Sequence, residues 1–379
     1  MDFNLTKKQK ETRESAREFA LREVKPIASE IDEEARFPLE TIEKAAKLGF
    51  MGYPFPKEYG GHGADYVSYV IMVEEISKVC ASTGVIVQTH SALCSWPILT
   101  YGTEEQKQKY LPNLYSGKTL GAFGLTEPGA GSDAGSIKTT ATDMGDYWLL
   151  NGSKIFISGG GIAGVYVVFA MTDIAKGTRG ISAFIVEKGM EGFSFSEKQN
   201  KMGIRGSLTS ELFFKDCKVP KENLLGEINK GLRIALSALD VGRLGIAAQA
   251  LGIAQGAFDQ TVEYMKTREQ FGRPIFKFQA LAFEMADMKT KIDAARFMLY
   301  YAADRREKGL PGSVEAAQAK LICSETAMHV TTKAVQFHGG YGYLKEYPIE
   351  RMMRDAKITE IYEGTSEVMK IIISGEIFK

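Results

Sequence analysis

Along the first third of the chain, hydrophobic residues recur at the three- to four-residue spacing of amphipathic helices. Thr6 is a good N-cap for the first helix, because its hydroxyl accepts a hydrogen bond from a backbone N–H of the first turn. The apolar positions continue through Phe19 and Val24, and we expect the helix to stop at Pro26, which lacks a backbone donor. The pattern predicts a helical domain over residues 1–118.

Two further helices of this domain have recognisable ends. Pro38 suits a first helical turn, and the helix after it closes on Gly49, a typical residue just beyond a helix C-terminus. Residues 103–106, TEEQ, form a capping-box pattern, in which the threonine and glutamine side chains each bond the other residue's backbone. We expect that helix to end near Gly117.

After this domain the spacing changes to short runs rich in β-branched and aromatic residues, which predict strands. The runs are LGAFGLTE, YWLL, SKIFIS, VYVVFAM, ISAFIVE and SELFF. YWLL and SKIFIS are separated by Asn151 and Gly152, the pair that best supplies the positive φ angles of a type I′ turn, so we expect a hairpin there. Residues 119–228 are predicted to form a β-domain, folded as a compact barrel.

From residue 229 the helical spacing returns and continues nearly to the end. Three segments are long enough for bundle helices, beginning at Gly231, Lys277 and Ser313, and the small residues of the first allow close helix contact. The order of helices, strands and helices predicts an α+β protein with a C-terminal helical domain at 229–379. Because no low-complexity linker separates the blocks, we expect them to pack against each other.

Composition and charge narrow the function. The chain has 379 residues, of which 44% are hydrophobic, enough for a large core. Its 47 basic residues are balanced by 47 acidic ones, which argues against nucleic acid as the main partner, because phosphate binding needs a cationic surplus. The polar N-terminus resembles neither a signal nor a transit peptide, and we find no apolar run of the roughly 18 residues that a membrane helix needs. We expect a cytoplasmic protein without membrane insertion.

The cysteines and histidines indicate neither disulfides nor a metal site. Cys80, Cys94, Cys217 and Cys323 are widely scattered, and in a chain of this length we expect them to be reduced thiols in the core. The four histidines lack metal-ligand spacing, so we expect no metal bound by the protein.

Two segments rich in glycine or arginine are suited to binding an anion. Residues 125–133, LTEPGAGSD, follow a strand, and their glycines allow close backbone approach while Thr126 and Ser132 add hydroxyl donors. An ordinary Gly-rich turn is the alternative. Residues 268–274, REQFGRP, lie between two long helices and offer arginine to a diphosphate, or form a solvated loop.

Two later segments are candidates for a cofactor surface and a catalytic base. Residues 336–343, QFHGGYGY, close a helix, and their paired glycines are typical of a helix cap but also leave backbone open to a cofactor. In residues 361–367, IYEGTSE, Glu363 lies between apolar side chains and a glycine. Desolvation there would raise the pKa of the carboxyl and suit it to proton abstraction; the alternative is a surface glutamate before a Thr/Ser cap.

The four segments occur together and in one order, as TEPGAGSD, TREQFGRPI, QFHGGYGY and RDAKITEIYEGTSEV. In this combination the chain resembles the acyl-CoA dehydrogenase family over essentially its whole length. The resemblance implies an N-terminal helical domain, a middle β-barrel and a C-terminal four-helix bundle. It also implies a homotetramer, built as a pair of dimers, with one FAD per subunit.

The resemblance assigns a large set of residues to FAD. The flavin ring is expected to meet the segment around Thr126, which donates to the pyrimidine edge, and the end of the SKIFIS strand. The diphosphate and adenine are expected to lie across a dimer interface. The residues implied are Phe123, Leu125, Thr126, Gly131, Ser132, Phe156, Ile157, Ser158, Arg268, Phe271, Gln279, Gln336, Phe337, Gly339, Gly340, Thr365 and Glu367.

The resemblance also implies how an acyl-CoA is bound and converted. The residues implied for the thioester are Ser132 in the CoA tunnel, Asp240 and Arg243 on the long helix, and Gly364. Asp240 and Arg243 are three residues apart, on one helix face, which also predicts an ion pair. Glu363 is the implied base, which removes the α-proton while the flavin accepts the β-hydride. The resemblance further implies that the base's own N–H and a ribityl hydroxyl of FAD hold the thioester oxygen.

One detail tests the assignment of the base. Some members of the family carry the catalytic glutamate on the long helix, in a stretch that corresponds to residues 239–243, LDVGR. Gly242 has no side chain and cannot serve as a base. This favours Glu363 and the short- and medium-chain arrangement.

The GTSEV ending and the helix DVGRLGIAAQALGIAQ resemble those of bacterial butyryl-CoA dehydrogenases. This implies conversion of butyryl-CoA to crotonyl-CoA, or the reverse reduction, with electrons exchanged with electron-transferring flavoprotein. Residues 158–161, SGGG, depart from the Thr-Asn of many members. The serine keeps the hydroxyl, whereas the glycines could alter loop mobility near the flavin.

Three alternatives stay open from the sequence. An acyl-CoA oxidase would keep the fold and pass electrons to oxygen, although most such oxidases carry a large extra C-terminal domain. A dehydrogenase for a bulkier aryl or branched acyl-CoA would keep the same base. A non-catalytic helical scaffold would show no flavin absorbance.

Overall fold

The structure, a computed structural model, describes residues 4–379. Thr6 and Thr103 cap helices in complete capping boxes, and Gly49 and Gly117 follow their helices at φ angles of 77° and 71°, as predicted. The N-terminal helices are α1 (Lys7–Phe19), α2 (Ala28–Glu33), α3 (Leu39–Lys47), α4 (Tyr66–Ser77), α5 (Ala81–Thr89), α6 (Trp96–Tyr101) and α7 (Glu104–Tyr115).

The first helix does not stop at Pro26, so that prediction was wrong. The chain continues from α1 through a π-helical turn, Ala20–Val24, and a 3₁₀ turn, Lys25–Ile27, into α2. Because Pro26 lies at the start of the 3₁₀ turn, its missing N–H removes little hydrogen bonding. The helical path therefore continues past it with a different pitch.

The middle of the chain forms an eight-stranded sheet with the strand order β6-β7-β3-β2-β4-β5-β8, in which β1 pairs in parallel with β4. Side chains of β4 are buried at every position and alternate between two hydrophobic clusters, one shared with the N-terminal helices and one within the β-domain. The strands are β1 (Gly121–Gly124), β2 (Thr140–Asp143), β3 (Tyr147–Ser158), β4 (Val165–Met171), β5 (Ile181–Glu187), β6 (Phe193–Phe195), β7 (Thr209–Pro220) and β8 (Leu224–Leu225).

Asn151 and Gly152 do not form the predicted hairpin. They lie inside β3, which pairs with β2 on one side and β7 on the other. A register shift between Leu150 and Gly152 marks an irregularity, and a Cβ on Gly152 would lie 2.7 Å from the Cα of Thr139. Glycine is therefore required there for close approach of two backbone segments, and not for a turn.

The rest of the chain is again helical, which confirms the predicted α+β fold class. A small β9–β10 hairpin separates the first two of its helices. The elements are α8 (Gly231–Thr267), β9 (Glu269–Gln270), β10 (Arg273–Pro274), α9 (Gln279–Glu307), α10 (Ser313–His338), α11 (Ile349–Ile358) and α12 (Ser366–Ile377).

Helix α8 is the centre of the fold and packs against α4, α5, α9, α10 and α11. By its length and mean hydropathy it could cross a membrane, although its longest stretch without a charged residue is the 15 residues 244–258. However, 78% of its most apolar window is buried inside the protein, as in a core helix. All four cysteines are buried and unpaired, as predicted.

Candidate functional site

Glu363 lies in the turn between α11 and α12. Its φ angle of 54°, followed by 102° at Gly364, places two consecutive residues in the left-handed region. A non-glycine residue holds such a conformation only where its surroundings enforce it, often at functional sites. The carboxylate packs against α8, since a Cβ on Gly242 would lie 1.9 Å from Glu363 Oε2. The two candidate positions for the base, 242 and 363, thus meet in space.

The two oxygens of the Glu363 carboxylate have different surroundings. Gln88 Nε2 donates to Oε1 at 3.1 Å and to the carbonyl oxygen of Gly242 at 2.9 Å. Oε2 is buried and has no hydrogen-bond partner within the part of the chain that the structure describes. Burial raises the pKa of Glu363 to about 7, against the opposing effects of Gln88, Arg243 and Lys320. Gln88 thus holds Oε1 in position, while Oε2 is available to accept a proton near neutral pH.

Two cations contact the backbone of the same turn. Arg243, whose side chain is 5% exposed, forms the predicted ion pair with Asp240 at 2.6 Å. Its Nε also donates to the carbonyl oxygen of Glu363 at 3.4 Å. Lys320 Nζ donates to the carbonyl oxygen of Gly364 at 2.7 Å. The structure therefore brings together the predicted residues 240, 243, 363 and 364.

Gln88 and Lys320 were missed in the sequence, although each leaves a trace there. Gln88 interrupts the apolar run VIVQT of α5. Lys320 lies on the buried stripe of α10, between residues 316 and 323. Burying a charge there is costly unless it has a partner. What each one contacts could not be read from the sequence, because the partners are distant along the chain.

A buried ion pair anchors the Gly-rich segment 125–131. Lys154, on β3, has a fully buried side chain whose Nζ lies 2.7 Å from Glu127 Oε1 and 3.2 Å from the carbonyl oxygen of Leu125. Glu127 also accepts from the backbone N–H groups of Lys138 and Thr139. Burial lowers the pKa of Lys154 to about 8, while Glu127 opposes this shift, so the lysine stays charged at neutral pH.

Replacing Lys154 by methionine is expected to destabilise the protein by about 3–5 kcal/mol, because the buried Glu127 carboxylate loses its counter-charge. Chemical unfolding measures the change in the free energy of unfolding. Lys215→Met is the matched control, since Lys215 is exposed on the neighbouring strand β7. Equal stability of the two variants would contradict the role of the ion pair.

The predicted flavin segments present an open surface around the end of β3. Phe156 is 64% exposed at a φ angle of 60°, while the Ile157 side chain is buried in the β-domain core, so only its backbone is available. The Thr126 carbonyl accepts from Ile155 N–H at 2.9 Å, which joins the Gly-rich segment to β3. A Cβ on Gly131 would meet nothing within 4 Å, so the backbone there is accessible to a ligand.

Arg268 and residues 336–340, predicted to hold the cofactor's diphosphate and adenine, line a groove of about 520 Å³. Arg268 stacks over the ring of Tyr341 at 5.4 Å. Phe271, in the β9–β10 hairpin, is 93% exposed at a φ angle of 52°, and Gln279 is exposed at the start of α9. The structure thus brings Arg268 and residues 336–340 together in one groove, whereas Phe271 and Gln279 lie on the outer surface.

The remaining predicted residues lie at the edges of the site. The Thr365 hydroxyl accepts from Val368 N–H at 3.3 Å and so serves as the N-cap of α12. Glu367 is exposed in the first turn of that helix, where its own backbone N–H and the Thr365 side chain lower the pKa of its carboxyl. Ser132 is exposed on the Gly-rich segment.

The domain descriptions of one protein family match almost the whole chain. "Acyl-CoA dehydrogenase, N-terminal domain" matches residues 6–118, the middle domain matches 122–217 and the C-terminal domain matches 229–378. The chain belongs to the acyl-CoA dehydrogenase family. This membership confirms the predicted class of activity, flavin-dependent oxidoreduction of an acyl-CoA, and FAD as the cofactor. The alternative of a non-catalytic scaffold was therefore wrong.

Individual acyl-CoA dehydrogenases are similar over their full length. A short-chain specific acyl-CoA dehydrogenase of Clostridium acetobutylicum is 59% identical over 379 residues, which is 100% of both chains. The structure of butyryl-CoA dehydrogenase from Megasphaera elsdenii matches with a TM-score of 0.98 at 50% identity, covering 100% of both chains. A chain from a structural study of the electron-transferring flavoprotein of Acidaminococcus fermentans and electron bifurcation matches with a TM-score of 0.99 at 54% identity, again over 100% of both chains.

The residues of this chain fit the FAD of the family. Gly131 offers accessible backbone, Phe156 offers an exposed apolar ring, and the groove beside Arg268 offers a cation for the diphosphate. A surface that exposes a strained aromatic residue beside accessible backbone is typical of a ligand site.

Proposed function

We propose that this protein interconverts a short-chain acyl-CoA, such as butyryl-CoA, and its 2-enoyl-CoA, with Glu363 as the base. The observation that carries the proposal is the Glu363 carboxylate, held through one oxygen by Gln88, with the other oxygen buried and unpartnered in the described chain. The short-chain specific and butyryl-CoA relatives support the substrate class.

In the proposed reaction, Glu363 removes the α-proton of the thioester while Gln88 keeps the carboxylate in place. When bound, FAD accepts the β-hydride. The backbone N–H groups of residues 363–365 donate to no protein acceptor within residues 4–379, which leaves them for the thioester oxygen. Arg243 and Lys320 hold the carbonyl oxygens of the same turn and so fix the direction of these donors.

The pH dependence of flavin reduction follows from the pKa of Glu363. Only the ionised carboxylate accepts a proton, so the rate of reduction by acyl-CoA is expected to rise about tenfold per pH unit below 7 and to level off above it. The reverse reaction needs the protonated form and is expected to slow as the pH rises through 7. Stopped-flow absorbance measures the rate of each reaction as a function of pH. Rates that both rise or both fall with pH would contradict the assignment of the base.

Anaerobic titration of the FAD-loaded protein with acyl-CoAs of four to eight carbons tests the substrate class. We expect the flavin to bleach most completely with the four-carbon thioester. Bleaching confined to aryl or branched thioesters would instead favour the bulkier-substrate alternative. Rapid oxygen consumption without a carrier protein would favour an oxidase.

Electron-transferring flavoprotein is the proposed electron partner, supported by the full-length match to the Acidaminococcus fermentans chain. Substrate-reduced enzyme is expected to reduce added electron-transferring flavoprotein, which is monitored by its flavin absorbance. The proposed location is the cytoplasm, because four unpaired core thiols suit a reducing compartment. A reduced enzyme that keeps its electrons in the presence of this carrier would contradict the partner.

The proposed homotetramer is supported by apolar side chains on the outer surface of the C-terminal helices. Phe283, Phe297 and Tyr301 of α9 are 61%, 57% and 43% exposed. At separations of 14 and 4 residues they lie on one face of α9, and exposed apolar side chains aligned in this way support an interaction site. Light scattering is expected to give four times the subunit mass, and Phe297→Asp is expected to lower it. A parent protein of one subunit mass would contradict the assembly.

A further inference from the structure

Lys320 is a lysine with a fully buried side chain, on a face of α10 whose other buried residues near it are small. Its buried neighbours three and four residues away are Ala316, Ala317, Cys323 and Ser324. Removing a lysine from water is costly unless its charge is compensated, so a residue of this kind indicates a specific role.

The ammonium of Lys320 faces the turn that carries Glu363. Its Nζ donates to the carbonyl oxygen of Gly364 at 2.7 Å, while Arg243 Nε donates to the carbonyl oxygen of Glu363 at 3.4 Å. Two consecutive carbonyls therefore point at cations from two different helices, α8 and α10. Because the peptide bonds are trans, the N–H of each of these peptide groups points away from its cation.

The conformation of the turn needs such a restraint. Glu363 at a φ angle of 54° is in a region that costs a non-glycine residue about 1–2 kcal/mol. The turn lies outside both helices, since α11 has ended and α12 begins only at Ser366, and the N–H of Ser366 donates across it to the carbonyl oxygen of Glu360 at 3.0 Å. A hydrogen bond from a buried charge is strong enough to hold it.

We propose that Lys320 is a positioning residue for the base: its ammonium holds the Gly364 carbonyl and thereby fixes the left-handed turn that presents the Glu363 carboxylate beside Gly242. The proposal rests on the proposed function, because it concerns the base of that reaction. It adds a residue on a helix that the sequence motifs did not include.

The charge of Lys320 also acts on the carboxylate. Burial lowers the pKa of Lys320 to about 8, and Glu363 opposes that shift, so at neutral pH the lysine is mostly charged and favours the ionised base. Two neighbouring tyrosines, Tyr69 and Tyr362, have a pKa well above 10, because they are buried, and stay neutral over this range. The other titratable or charged groups that face this pair are Arg243, Asp240, Glu360 and Glu367.

The experiment compares Lys320→Met, which removes the charge, with Lys320→Arg, which keeps it, in the FAD-loaded enzyme. Without the charge, the pH midpoint for flavin reduction by butyryl-CoA is expected to move up by about one unit, so the rate at pH 6 falls about tenfold. Above pH 9 the variant and parent converge, because Glu363 is ionised in both and Lys320 has lost its proton in the parent. Lys320→Arg is expected to restore the parental midpoint.

Lys333→Met is the matched control, because Lys333 lies on the same helix but pairs with Glu284 at a half-exposed site. An unchanged midpoint in Lys320→Met, or a loss of rate that is uniform with pH and is not rescued by arginine, would overturn the proposal. Should Lys320→Met fail to bind FAD, Lys320→Gln keeps a hydrogen-bond donor without the charge and is expected to show the same upward midpoint.

A titration without substrate separates this proposal from the proposed function. The absorbance of bound flavin responds to charge beside it, so its pH titration reports Glu363, with Glu363→Gln as the blank. If the pH midpoint of this absorbance change is higher in Lys320→Met than in the parent, the role of Lys320 is supported, even when no acyl-CoA reduces the parent. Failure of every acyl-CoA to reduce the parent would reject only the proposed function. A midpoint equal to the parent's would reject the role of Lys320 alone.

Discussion

Glu363→Gln is expected to bind FAD normally but to lose flavin reduction by butyryl-CoA by a factor of about 10²–10⁴, the usual contribution of a positioned base. The amide has nearly the same shape as the carboxylate, so the contact with Gln88 and the packing against Gly242 persist. It cannot accept the α-proton. Anaerobic stopped-flow absorbance measures the rate constant of reduction.

Two controls separate the chemistry from damage to the fold. Glu18→Gln changes an exposed carboxylate on α1 that pairs with Arg22, and is expected to reduce its flavin at the parental rate. Glu363→Gln itself is expected to be at least as stable as the parent above pH 7. The raised pKa means that the fold disfavours the ionised form, so stability falls with pH between the unfolded pKa and about 7. Turnover of Glu363→Gln at the parental rate would contradict the assignment of Glu363 as the base.

Gly242→Ala is expected to slow flavin reduction by about 10²-fold, because a displacement of about 1 Å at a reacting group has an effect of this size. The added Cβ would lie 1.9 Å from Glu363 Oε2 and 2.9 Å from Leu93 Cδ2, so the base must move. A Gly242→Ala variant that reduces its flavin at the parental rate would contradict the contact.

The same geometry predicts that the base can be moved to the long helix. Glu363→Gly/Gly242→Glu is expected to regain part of the activity that Glu363→Gly loses, since a side chain at 242 starts where the present carboxylate ends. Glycine is chosen at 363 because the φ angle of 54° strains other residues. The matched control is Glu363→Gly/Gly242→Gln, which has the same bulk without the carboxylate. Equal rates in the two double variants would contradict the transfer.

Local sequence signals predicted the helical elements well where they involve neighbouring residues. The capping boxes at Thr6 and Thr103 and the glycine ends at Gly49 and Gly117 are all present, since each depends on contacts within about four residues. Pro26 was misread because a proline at the start of a 3₁₀ turn removes little hydrogen bonding.

Sequence reasoning failed where distant segments decide a conformation. Asn151 and Gly152 carry the strongest local turn signal in the chain, yet strands on both sides draw them into a continuous central strand. The hydrogen bonds of two neighbouring strands outweigh a local preference worth about 1 kcal/mol. The close approach of Thr139, which explains the glycine, is invisible in the sequence.

The sequence by itself determined the order of helices and strands, the family through four ordered motifs, and Glu363 as the candidate base. Only the tertiary structure decided what surrounds that base: Gln88 from α5, Gly242 from α8 and Lys320 from α10. The pKa of a carboxyl depends on burial and on charges within a few ångströms. These are set by segments that lie 275, 121 and 43 residues away in the chain, so no local pattern encodes them.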